Sequence, residues 1–184
     1  GVVADAHTID GGKDVTTTTT GATTGAVTIG GTTAPVGDVN VTYTSTMAEV
    51  SGSDTTQTSG VIAVTGGTTV SVTSNQTVGT ADNSSDAATI GAVTITGNAD
   101  TTSATVTQTA AQSYNLAATR TAIAGGAVTV NDANKASLTA AGTITEVTIA
   151  NAAAVTVNSG ALTTLNLSGT VTSANLDTLG ALTT

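Results

Sequence analysis

The chain of 184 residues has no cysteine, no tryptophan and no phenylalanine. The missing thiols exclude disulfides, thiol catalysis and cysteine metal sites. With two Tyr as its only aromatics, it lacks the large anchors of a thick globular core. What remains to bury is Val, Ile, Leu, Ala and the Thr methyl group, a palette suited to strands and a thin interior. Basic residues are scarce too: Lys13, Arg120 and Lys135 stand against twelve acids, a formal net charge of -9. That balance cannot neutralise phosphates, so it argues against nucleic acid as a partner, and it disfavours anionic membrane surfaces. It favours solubility and association with cations. The single proline, Pro35, leaves most backbone donors free for a ladder. No run reaches the roughly 18 apolar residues of a membrane-spanning helix, and no basic-then-apolar signal opens the chain. A start at Gly1 and a finish at Thr184 without a closing element lead us to expect a processed chain or a segment of a larger one.

What is present is repetition. Ala-Val-Thr-[Ile/Val] recurs beside glycine at Gly25-Ala-Val-Thr-Ile-Gly30, Gly91-Ala-Val-Thr-Ile-Thr-Gly97 and Gly126-Ala-Val-Thr-Val130, with looser copies at Val61-Ile-Ala-Val-Thr-Gly66 and Ala154-Val-Thr-Val157. Repeated units of this size bury one another's apolar faces by stacking. Alternation in Val39-Asn-Val-Thr-Tyr-Thr44 and Val70-Ser-Val-Thr73 has the period of two of a half-buried strand. Gly, Asn, Asp and Ser clusters between them read as turns. The strand motifs at Val27, Val64, Val93, Val128 and Val155 are unevenly spaced, and the rhythm tightens towards the carboxy terminus. The expected fold is therefore all-β: a β-solenoid of short irregular rungs, with an elongated antiparallel β-sandwich as the alternative. Helix is expected only as a turn or two at 112–118 and 137–141, because Thr is a poor helix former. Residues 1–22 read as an extended amino-terminal arm or a first strand, with the Thr run at 16–20 as linker or strand. Residues 23–184 read as one repetitive β domain.

From about Gly60 onward four segments follow in order: Gly60-Val-Ile-Ala-Val-Thr-Gly-Gly-Thr-Thr-Val70, Val93-Thr-Ile-Thr-Gly-Asn98, Ser103-Ala-Thr-Val-Thr-Gln-Thr-Ala-Ala111 and Ser159-Gly-Ala-Leu-Thr-Thr-Leu-Asn-Leu-Ser-Gly169. In these segments and their order the sequence resembles the carboxy-terminal β region of Caulobacter-type RTX S-layer proteins. The resemblance implies a calcium-supported β-solenoid that tiles into a cell-surface lattice. It also implies export by a type I route, which needs no amino-terminal signal. One departure matters: Gly11-Gly-Lys-Asp14 lacks the Gly-x-Asp continuation of the RTX nonapeptide, so dense calcium-roll sites do not carry over.

Calcium takes six to eight oxygen ligands, and turns rich in Asp and Asn supply them. The candidate ligands are Asp82, Asn83 and Asp86 in one loop, Asn98 and Asp100 in an equivalent loop, and Asp132 flanked by Asn131 and Asn134. The same residues are ordinary turn formers, since their side chains bond their own backbone. His7, the only histidine, is expected to face solvent, and no second histidine supports transition-metal chemistry. Thr-x-Thr pairs such as Thr42/Thr44/Thr46 and Thr94/Thr96 would place hydroxyls and methyls on one strand face, as in ice-binding solenoids. Along the sequence they do not recur at one position per module, so ordinary filling of a β face is the expectation. Asn-x-Ser/Thr sequons stand at Asn40, Asn75, Asn83 and Asn166.

Three basic residues and two tyrosines offer little with which to hold a substrate, so no enzyme is expected and no catalytic residue is assigned. The leading expectation is an extracellular, cell-surface structural protein that assembles with copies of itself through β contacts. Calcium is the candidate cofactor and cell-surface polysaccharide a candidate second partner. A repeat segment of a secreted adhesin stalk is the alternative.

Overall fold

A computed structural model of the chain describes residues 6–21, 24–47, 56–81, 87–114, 125–133 and 142–177. Within these the regular structure is all β-strand: β1 (His7–Ile9), β2 (Val15–Gly21), β3 (Val27–Ile29), β4 (Val39–Met47), β5 (Thr56–Thr58), β6 (Ile62–Thr65), β7 (Thr69–Ala81), β8 (Ala87–Thr89), β9 (Val93–Gly97), β10 (Ser103–Tyr114), β11 (Val128–Asp132), β12 (Glu146–Ala150), β13 (Ala154–Asn158), β14 (Thr164–Ser168) and β15 (Ser173–Asp177). The first sheet runs β1-β3-β6-β9-β11-β13-β15 and the second β2-β4-β7-β10-β12-β14, with β5-β8 as a small third. Leaving β5 and β8 aside, the chain alternates between the two large sheets. Each pass therefore returns to a sheet in the same direction, one strand further along.

Every described pairing is parallel. This removes the antiparallel sandwich. Gly- and Asn-rich turn signals are the same whether the chain folds back as a hairpin or bends a corner into another sheet, so turn spacing alone could not separate the two. The helical turn expected at 112–118 is also corrected at its start, because Gln112, Ser113 and Tyr114 belong to β10; 115–118 and 137–141 lie outside the described residues. The Thr run at 16–20 is strand, within β2, and both β1 and β2 sit at the edges of the two large sheets.

Register turns the sequence alternation into columns. Val27, Ile62, Val93, Val128 and Val155 stack on the inner side of the first sheet, with Ile29, Val64, Ile95, Val130 and Val157 beside them. The partner of Val27 is thus Ile62, not Val64, so the looser copy of the repeat is displaced by two residues. Facing them, Val39-Val70-Ala104-Val147 and Val41-Val72-Val106-Ile149 stack in the second sheet. All are buried in one apolar cluster. β-Branched side chains have few χ1 choices to lose and pack well on a pleated surface, so they fill most of this cluster, with Tyr43 as its one aromatic among the described residues.

Two corner columns join the sheets. At one, Gly25, Gly60, Gly91 and Gly126 stack so closely that a Cβ on each of the last three would overlap the carbonyl oxygen of the glycine before it. This close approach is the physical reason for glycine two residues ahead of Ile62, Val93 and Val128; at the next pass the position is Ala153, whose N–H donates to Gly126 O at 3.2 Å. The buried Tyr43 hydroxyl ties into the column, donating to Gly25 O at 3.2 Å and accepting from Gly60 N at 3.0 Å. Ser59 Oγ accepts from Gly91 N at 2.8 Å. At the other corner, Thr68, Thr102, Thr145 and Thr163 form a ladder. Each of the first three carbonyls accepts the N–H of the next Thr, at 2.9 Å in every case, and its hydroxyl at 3.1–3.3 Å. Backbone pairing therefore continues around the bend instead of stopping at the strand ends.

Replacing Gly91 by Ala pushes a methyl group against backbone that cannot yield, and is expected to cost about 1–3 kcal/mol in urea unfolding. At Gly31 an added Cβ meets only ordinary contacts, 3.4 Å to Thr28 Cγ2 and 3.7 Å to Asp10 Oδ1. Gly31→Ala is expected to stay within about 0.5 kcal/mol of the parent.

Candidate functional site

The turns between the first sheet and the second gather most of the described acidic residues, and their carboxylates cap backbone of the neighbouring pass. Asp10 Oδ1 accepts from Thr32 N at 2.8 Å, and Asp14 Oδ1 from Asp38 N at 3.0 Å. Asp38 Oδ1 in turn accepts from Thr69 Oγ1 at 2.8 Å. Asp10 and Asp14 thus supply acceptors to N–H groups that the bent backbone leaves unpaired, and Asp38 supplies one to a side-chain hydroxyl.

Of the candidate calcium ligands, Asp82, Asn83 and Asp86 lie outside the described residues, as does Asn134. Asn98 and Asp100 share the turn after β9, where Asp100 N donates to Asn98 Oδ1 at 2.9 Å, a self-bonded Asx turn. The turn is anchored by Thr101, whose hydroxyl accepts from Asn98 N at 2.9 Å and donates to Gly67 O at 2.6 Å. Asp132 ends β11 opposite Gly97, directly above this turn. Its carboxylate is buried, and Oδ2 accepts from Thr143 N at 2.6 Å and Ile144 N at 2.8 Å. The Ser159 hydroxyl lies 3.1 Å from the same oxygen and 2.8 Å from Ile144 O. Thr143 Oγ1 closes the knot by donating to Asn98 O at 3.2 Å. Two of the three proposed ligand groups are therefore brought to one corner. Among the described residues, no three His, Cys, Asp or Glu side chains converge on a point.

The outer side of the second sheet is a different surface. Thr18, Thr42, Thr73 and Thr107 are register partners across β2, β4, β7 and β10, and Thr20, Thr44, Asn75 and Thr109 form the next column. This corrects, for Thr42 and Thr44, the expectation that the Thr-x-Thr pairs share no fixed position; Thr94 and Thr96 lie on β9 of the first sheet, opposite Ala63 and Thr65. Unequal lengths of chain between strands scatter the stacked threonines in the sequence, whereas backbone register realigns them in space. Thr16 and Thr105 lie in the flanking column with Asn40 and Ser71. Asn75 Nδ2 reaches Thr44 Oγ1 at 3.5 Å. The sequon residues Asn40, Asn75 and Asn166 all point to this outer side; Asn83 lies outside the described residues. His7 is exposed on β1.

Where β4, β7 and β10 run on past the apolar columns, the inner side becomes polar. Ser45, Ser74, Gln76 and Gln108 are all buried there, and Gln57 Nε2 donates to Ser45 Oγ at 3.1 Å. No spacing rule in the sequence flags these residues, because each occupies an inward position otherwise filled by an apolar side chain.

Asp132→Ala would leave the Thr143 and Ile144 N–H groups without their acceptor, and is expected to lower stability by about 3 kcal/mol or more. Asp100→Ala removes an exposed carboxylate whose residue bonds the turn through its own N–H, so a change within about 0.5 kcal/mol is expected. Thermal melts of the two variants side by side check the contrast.

No family model matches the chain, and no curated protein matches it significantly.

Proposed function

We propose that the chain is an extracellular structural protein: a β-solenoid of irregular rungs that assembles with copies of itself into a surface layer, sheath or filament. One observation carries this reading. The two large sheets are parallel throughout and are extended by alternate strands of the chain, so the backbone is organised for further strands to be added at their edges. Among the described residues, no strand pairs with the outer edges of β1, β2, β14 or β15. Open edges present unpaired N–H and C=O groups that template β addition. The exposed Leu167 on β14 and Leu176 on β15 add apolar surface at two of these edges, one in each large sheet. Acidity supports the same reading, since like-charged bodies stay dispersed until a cation or a specific contact joins them. Calcium at the acidic corners is the cation we propose, with cell-surface polysaccharide as a second partner.

The same open edges favour one further reading, a repeat segment of a secreted adhesin stalk, in which more of a longer chain continues both sheets. The two readings part in one experiment, negative-stain electron microscopy of the purified chain with and without calcium. Regular polymers or sheets are expected, more abundant with calcium. Folded monomers under every condition would sink assembly and leave the stalk. Calcium-independent polymers would sink only the calcium part.

A further inference from the structure

The outer face of the second sheet is a two-dimensional grid rather than a line. Parallel strands set the spacing of one axis at about 4.8 Å, and alternate residues along a strand set the other at about 6.6 Å. The outward positions on β2, β4, β7 and β10 up to Thr109 are Thr except at Asn40, Ser71, Asn75 and Ser103. The only register shift in this part of the sheet comes later, between Gln112 and Ser113. Each Thr offers one methyl and one hydroxyl from a side chain whose β-branch limits its rotamers. Water held by the hydroxyls around the methyls is therefore positioned by the backbone before any ligand arrives, and preorganisation of this kind lowers the cost of binding an ordered partner.

Charge narrows the partner. The chain is strongly acidic, yet the outward residues of this grid carry no charge; Asp38 and Glu146 mark only its corner margin. A neutral, laterally periodic occupant fits such a surface, whereas an ion or a charged polymer does not. The first sheet provides an internal contrast. Its outer column Thr28-Ala63-Thr94-Thr129-Thr156 is interrupted by Ala63, and the neighbouring one passes through Asn131 and Asn158. Its strands are also too short to build a grid of the same width.

We propose that the grid centred on Thr18, Thr42, Thr73 and Thr107 binds the surface of ice, matching the repeat of water oxygens on a prism face through hydroxyl-anchored waters. The purified chain is tested for inhibition of ice recrystallisation and for faceting of single ice crystals in a nanolitre osmometer. Recrystallisation is expected to be inhibited and crystals faceted. Thr73→Lys, at the centre of the grid, is expected to raise the concentration needed by about tenfold or more. Thr94→Lys, on the other sheet, is expected to leave it unchanged, with circular dichroism showing both variants folded as the parent. The proposal is overturned if the parent chain acts no more strongly than an unrelated protein at equal concentration, or if Thr94→Lys is as damaging as Thr73→Lys. Retention on an insoluble neutral polysaccharide without any effect on ice would overturn it too and reassign the face to sugar. Inactivity on ice with Thr73→Lys abolishing self-association would reassign it to a second copy of the chain.

Discussion

Parallel backbone pairing in strict register is the constraint from which the other features follow. Once Val27 is opposite Ile62 and Val39 opposite Val70, each residue faces the residue in the same position of the pass before it. A side chain is then judged mainly by whether it stacks on its own kind. β-Branched apolar residues stack well inside, threonines stack well outside, and where backbones approach too closely for a Cβ only glycine remains. The Val-Thr motif with its preceding glycine is the sequence image of three columns cut across at once.

The polar interactions follow the same direction. Asp10, Asp14 and Asp132 bond to backbone that is far away along the chain but next door in the stack. The corner threonines and Tyr43 behave alike. Bends between strands are the places where a parallel sheet would otherwise leave donors and acceptors unpaired, and buried unpaired groups are costly. Much of the described acidity is thus committed to holding corners, mostly at the exposed surface, with Asp132 as the one buried acid among the described residues.

The all-strand content, the apolar inner positions and the importance of the glycine-flanked repeat were legible in the residues, because alternation of period two and β-branched composition are local properties. The parallel sense of the sheets was not, since a corner and a hairpin use the same turn residues. Nor was the alignment of Thr18 with Thr42, Thr73 and Thr107, because each interval of chain differs and no single period connects them. Asp132 stands out in the sequence as a candidate calcium ligand, on its position in an Asn- and Asp-rich turn. Its partners proved to be the N–H groups of Thr143 and Ile144, whose nearness depends on how β11 and β12 are joined. Ile62 rather than Val64 as the partner of Val27 shows the same limit at a single residue.

The inner partners Val27, Ile62, Val93, Val128 and Val155 are separated by unequal lengths of chain, yet their column is unbroken. Pass length and stacking register are therefore independent variables. Chain can be inserted or deleted between strands without moving a single inner contact, provided that the strand re-enters at the same column. Such an architecture can gain or lose surface loops by genetic insertion while its spine stays constant, and one scaffold can then display a succession of different decorations.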